Sequence, residues 1–138
     1  MVHIPADTLV RFLSQAMLLK LALAKYYGLN AVQFLTLLLV GETAIGIPIK
    51  MIRERLSIPG SSLTFTLDSL ERKKLIKRSR SKTDRRQWIL TLTAKGQKLY
   101  TRMLVKEKQT VAPMLEGFNE DEKAAFIKIA EEISRPKE

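Results

Sequence analysis

The stretch Pro59–Thr93, PGSSLTFTLDSLERKKLIKRSRSKTDRRQWILTLT, restricts the fold more than any other part of the chain. Leu63, Leu67 and Leu70 recur at helical spacing, which predicts a helix over about residues 61–74 with one buried stripe. Ile76–Arg80 and Trp88–Leu92 then read as two short strands, with Trp88, Leu90 and Leu92 sharing one face by the two-residue period. Between them lies a charged loop, Ser81–Gln87. A helix beside a basic hairpin has a shape that can enter and straddle nucleic-acid grooves.

Charge is concentrated in the same place. Residues 72–102 hold twelve Lys/Arg and a single acid, Asp84. The remainder has twelve basic and thirteen acidic residues, so the whole formal charge of +10 sits in about a quarter of the chain. Such a density draws phosphate by Coulomb attraction and counterion release.

Composition narrows the remaining classes. At 138 residues, with 46% apolar and 28% charged residues, one ordered domain is expected rather than disorder. There is no cysteine, which excludes disulfides, thiolate zinc sites and cysteine nucleophiles in this chain. The lone His3 sits near a terminus and is a poor candidate for metal ligation, so no metal is expected. The longest uncharged run, Tyr26–Gly41, is too short and too interrupted to span a bilayer. The first residues lack the pattern of a secretory leader, and the expectation is a soluble, cytoplasmic protein.

Around the central stretch the chain reads as helices. Residues 5–27 form one, capped by Asp7 or Thr8 and ended by Gly28. It carries two apolar stripes, Leu9-Phe12-Ala16-Leu19-Leu23 and Val10-Leu13-Met17-Leu21-Ala24. A helix on the surface of a monomer needs only one. Either it is the central helix of a monomeric core, or it packs against both its own subunit and a partner. Asn30 and Gln33 match a capping box that opens a second helix, ending near Gly41. Gly46-Ile47-Pro48 starts a third, with Pro48 in its first turn, and Ser57–Gly60 is the turn into the fourth. Thr93 caps a long helix over residues 94–115, and Asn119 and Glu122 form a second capping box for a last helix to about Ser134. The compact unit is residues 30–93. The flanking segments, 1–29 and 94–138, are amphipathic, and intertwining in a symmetric homodimer would cover both.

A helix–turn–helix pair makes its second helix the groove reader. Ser61, Ser62, Thr64, Phe65 and Ser69 lie off the leucine stripe. Their hydroxyls can donate and accept at base edges, and Phe65 can contact a thymine methyl. Small hydroxyls at a helix start also serve as caps, which accounts for Ser61 or Ser62 alone but not for Phe65. In the loop, Lys82, Asp84, Arg85 and Arg86 are the candidates for DNA contact. Asp84 can accept a charge-assisted hydrogen bond that pre-orients an arginine for a narrow minor groove. Lys50, Arg55, Lys77, Arg78 and Arg80 are candidates for phosphate. A charged loop in isolation is most often a solvated one.

These residues carry a family resemblance. Leu70-Glu71 through Leu75-Ile76, then Asp84-Arg85-Arg86, then Leu92-Thr93 and Gly96 resemble the MarR (multiple antibiotic resistance regulator) winged-helix transcription factors along nearly the whole chain. The resemblance implies a mainly α fold with a small β-hairpin wing, dimeric through the first and last helices. It places the helix from Ser61 in the major groove and Arg86 in the minor groove, held by Asp84. It also implies a ligand-responsive repressor, with a small aromatic or phenolic effector bound near the junction that holds Tyr26, Tyr27 and Phe34. Ordinary core aromatics are the simpler reading of those three. The absence of cysteine sets the chain apart from the peroxide-sensing branch. Two positions depart from the pattern: Phe65 replaces a groove-reading arginine, and Lys74 replaces a glycine. The latter requires a left-handed Lys74 or a shifted helix end.

The function expected is therefore a homodimeric, sequence-specific regulator of transcription that binds double-stranded DNA, with no cofactor. A general nucleic-acid module and a winged helix devoted to protein contacts are the rivals. An enzyme is not expected: the chain has no glycine-rich phosphate loop, no metal-spaced ligand set and no serine–histidine pair.

Overall fold

Capping and turn chemistry set several of the element boundaries in the computed structural model, which describes residues 5–135; His3 lies outside them. Helix α1 (Ala6–Tyr26) starts at Pro5 without a side-chain cap, so neither Asp7 nor Thr8 plays the part expected of it. Gly28, at φ 65°, turns the chain out of α1. Helix α2 (Ala31–Gly41) opens on the capping box: the Gln33 amide donates to Asn30 Oδ1 at 2.8 Å and the Asn30 amide donates to Gln33 Oε1 at 3.0 Å.

Gly46–Pro48 does not begin a helix. Ile47–Pro48 is a short strand, β1, and α3 (Ile49–Leu56) follows with Pro48 as its cap. Proline has no N–H to donate, which suits the edge of a sheet as well as it suits a helix start. Ser57, left-handed at φ 51°, ends α3, and α4 runs Gly60–Arg72. Lys74 takes φ 58°, the left-handed option the sequence left open. Strands β2 (Ile76–Arg80) and β3 (Trp88–Leu92) pair antiparallel with Arg78 opposite Leu90, and β1 adds to the far side of β3. The wing is thus part of a three-stranded sheet, ordered β1-β3-β2. Helix α5 (Ala94–Val111) is followed by a 3-10 turn, Ala112–Leu115, which shortens the expected helix by four residues. The second capping box forms as expected and opens α6 (Glu120–Ser134).

The chain divides into two compact units, Met1–Met103 and Leu104–Glu138. In the first, Phe34, Leu37, Ile52, Leu63, Leu67, Leu70, Leu90 and Met103 are fully buried and form one core with Leu23 and Ala24 at the end of α1. Each such side chain contributes roughly 1.5–3 kcal/mol by leaving water. The leucine stripe of α4 is consumed here, which fixes the helix's opposite face outward. The rest of α1 is not covered: Leu9, Val10, Phe12, Leu13, Met17 and Leu18 are all about half exposed. Within its own unit, α1 is covered only toward its C-terminal end, at Leu23 and Ala24. In the second unit, the apolar side of α6 is likewise open, with Phe126, Ile129 and Ile133 exposed. Among the described residues, no single helix is long and apolar enough to cross a membrane.

Candidate nucleic-acid interface

Burying Leu63, Leu67 and Leu70 leaves Ser61, Ser62, Thr64 and Phe65 on the solvent side of α4. Phe65 is 69% exposed, an unusual position for a large aromatic that owes nothing to the core. It lines a shallow groove of about 540 Å³ with Ser61, Ser62 and the start of α2, Asn30–Val32. Thr64 donates its hydroxyl to the Gly60 carbonyl at 2.9 Å and keeps its lone pairs for an incoming donor. Ser69 faces elsewhere. It is half-buried against α2, where its Oγ accepts from Gln33 Nε2 at 2.9 Å, so it does not join the outward set.

The sheet separates the basic residues by the face on which they fall. Ile76 is buried, and Arg78 and Arg80 share its inward face by the two-residue period, whereas Lys77 points out. Arg78 donates through Nη2 to Asp68 and to Glu71, at 3.0 Å for the latter, with its side chain 24% exposed. It ties the sheet to α4, with its charge already paired to two carboxylates. Arg80 lies 4.0 Å from the centre of the Trp88 ring and donates through Nη1 to the Arg85 carbonyl at 3.2 Å. Trp88 shares the face of Leu90 as the period set, yet it is 42% exposed, because the sheet extends beyond the core toward its tip.

The loop itself is closed by short-range bonds. The Ser81 amide donates to the Gln87 carbonyl and the Gln87 amide to the Asp84 carbonyl, both at 2.9 Å. Ser81 Oγ accepts the Asp84 amide at 3.2 Å. Asp84 Oδ1 accepts the Arg86 backbone amide at 3.0 Å, so it holds the backbone under Arg86 rather than its guanidinium. Lys82, Arg85 and Arg86 are exposed. On α3, Lys50 is exposed and stands 3.9 Å from Glu54, and Arg55 is paired with Glu42 at 2.8 Å. Arg53, which was not among the sequence candidates, joins Lys50, Gly60 and Thr64 around a groove of about 420 Å³ between α3 and α4. Its spacing of three from Lys50 was the available signal.

Of the three junction aromatics, Phe34 is fully buried and Tyr27 packs against the same core. Tyr27 donates its hydroxyl to the Arg102 carbonyl at 3.0 Å and meets the ring of Tyr26 edge-on at 5.0 Å. Among the described residues no group of three or more acids and histidines is placed to hold a metal ion.

Residues 19–103 match the family model described as "Transcriptional regulator SarA/Rot". An uncharacterized HTH-type transcriptional regulator of Bacillus subtilis, YwhA, is 30% identical over 87 residues, 63% of this chain and 63% of YwhA, so the match spans just under two thirds of that relative. Among solved structures, MarR superposes with a TM-score of 0.75 at 21% identity, covering 97% of this chain and 91% of MarR. Streptococcus pneumoniae FabT, solved in complex with DNA, gives 0.74 at 22% identity, covering 92% of this chain and 90% of FabT. At these identities the structural likeness establishes the winged-helix fold.

Proposed function

The chain belongs to the SarA/Rot family of transcriptional regulators, and from that premise we propose that it binds operator DNA as a homodimer and represses transcription. The observation that carries this reading is the outward face of α4, where Ser61, Ser62, Thr64 and Phe65 stand exposed beside a basic wing tied to the same helix by Arg78. Hydroxyls and an aromatic edge read bases and thymine methyls in the major groove, while the wing carries Arg86 to the minor groove. Lys50, Arg53, Lys77 and Lys82 contact phosphate. FabT, of like fold, was solved with DNA, in keeping with this use of the surface.

The apolar faces support dimerisation. Neither the open side of α1 nor that of α6 has a partner within its own unit, and a second copy is the economical cover. A two-fold axis then presents two reading helices to half-sites about one helical turn, roughly 34–36 Å, apart.

Arg86→Ala is expected to weaken binding to a selected operator by about 1–3 kcal/mol. Lys82→Ala should weaken all duplexes alike and lower the slope of log K against log salt by about one unit. Titrations at several salt concentrations check both. Unchanged operator affinity in the first variant removes the wing arginine, and an unchanged slope in the second removes Lys82 from the phosphate set. A general nucleic-acid module would bind random duplex as well as operator. A winged helix used for protein contacts would respond weakly to salt.

A further inference from the structure

The inward face of the wing hairpin holds two arginines, and only one faces the core. Beyond Arg78 the sheet runs past α4, and Arg80 has no carboxylate to meet among the ion pairs of the described residues. Its guanidinium instead lies on the ring of Trp88, its register partner across the hairpin, 4.0 Å from the ring centre. The same guanidinium donates through Nη1 to the carbonyl of Arg85, inside the loop. A planar, delocalised cation can do both at once; a lysine ammonium cannot.

Resting on the DNA-binding reading above, we propose that Arg80 is a positioning residue for the wing rather than a phosphate contact: clamped between Trp88 and the Arg85 carbonyl, it pre-forms the loop that presents Arg85 and Arg86. The loop's hydrogen bonds, that of Arg80 included, all lie within the hairpin tip, and exposed local bonds open readily; the stack on Trp88 is what anchors the Arg80 guanidinium to the sheet. Arg80 adds a link from the strand to the loop's far limb. A loop held before it meets DNA loses less conformational freedom on binding, so the clamp acts on affinity without touching the duplex.

Arg80→Lys separates the two roles, because it keeps the charge and loses the stack and the fork. The expected result is a roughly tenfold rise in Kd for operator DNA, with an unchanged salt slope. Amide exchange at Arg86 and Gln87, read by NMR on the free protein, should quicken. Trp88→Leu should give a similar loss and add little in the Arg80→Lys background, and Trp88→Phe, which keeps an aromatic face, should recover most of it. Wild-type affinity in Arg80→Lys, or losses from the two sites that simply add, overturns the proposal. Failure of the wild type to bind any duplex would instead sink the DNA-binding reading. In that event the exchange rates still decide whether Arg80 holds the loop, and unaltered rates refute it.

Discussion

Replacing Gly96 by alanine is expected to lower the melting temperature by on the order of 10 °C. A Cβ at this position would stand 1.9 Å from the Leu75 carbonyl oxygen and 2.9 Å from its carbon, and both are backbone atoms. No rotamer relieves the clash. The Leu75 oxygen is already fixed by the Thr93 amide at 3.0 Å, and the Leu75 amide by the Leu70 carbonyl at 3.0 Å. Thr93 in turn donates its hydroxyl to the Lys74 carbonyl at 2.6 Å and accepts the Gly96 amide at 3.0 Å. The end of α4, the start of β2 and the start of α5 therefore meet at one joint with no slack. Forcing them apart costs about 3 kcal/mol, the upper range for overpacking, which in a domain of this size corresponds to the shift above. Circular dichroism during heating reads it. Gly117→Ala is the control, because nothing lies within 4 Å of its would-be Cβ. A Gly96→Ala protein that melts within about 2 °C of wild type would show that the joint yields and is not overpacked.

The second large effect concerns assembly. Leu13→Glu combined with Met17→Glu places charges on the open face of α1, where the two side chains are 58% and 56% exposed. Within one chain such a change alters almost no buried contact. In the proposed dimer it buries unpaired carboxylates at the partner's surface, a severe penalty. Sedimentation should show a monomer. Operator affinity should fall by on the order of 10²–10⁴-fold, because each wing and reading helix then binds without the other's effective concentration. A variant that stays dimeric, or a monomer that binds the operator as the wild type does, would remove α1 from the interface.

Much of the architecture was legible because it rests on local chemistry. Both capping boxes, Asn30 with Gln33 and Asn119 with Glu122, formed at the residues read from the sequence. The two wing strands have the ends that the alternation set. Strand β1 was not legible: two residues carry no period, and their pairing with Leu90 and Ile89 is made by tertiary packing. The same limit explains Ser69, whose hydroxyl is claimed by a side chain thirty-six positions away. Arg78 is a different case. Its shared face with Ile76 is readable from the two-residue period, whereas its carboxylate partners on α4 are not. The contact from Asp84 to the Arg86 amide, rather than to the guanidinium, follows from asparagine-like turn chemistry that charge arguments overlook.

DNA binding as proposed needs one surface, the α4 face with its wing, repeated by a two-fold axis. Hydroxyl-radical footprinting on a duplex selected from a random pool tests it most directly. The predicted result is two equivalent protected patches about one helical turn apart, flanked by minor-groove protection that vanishes in Arg86→Ala. A single patch, or protection spread evenly along the duplex, would contradict it.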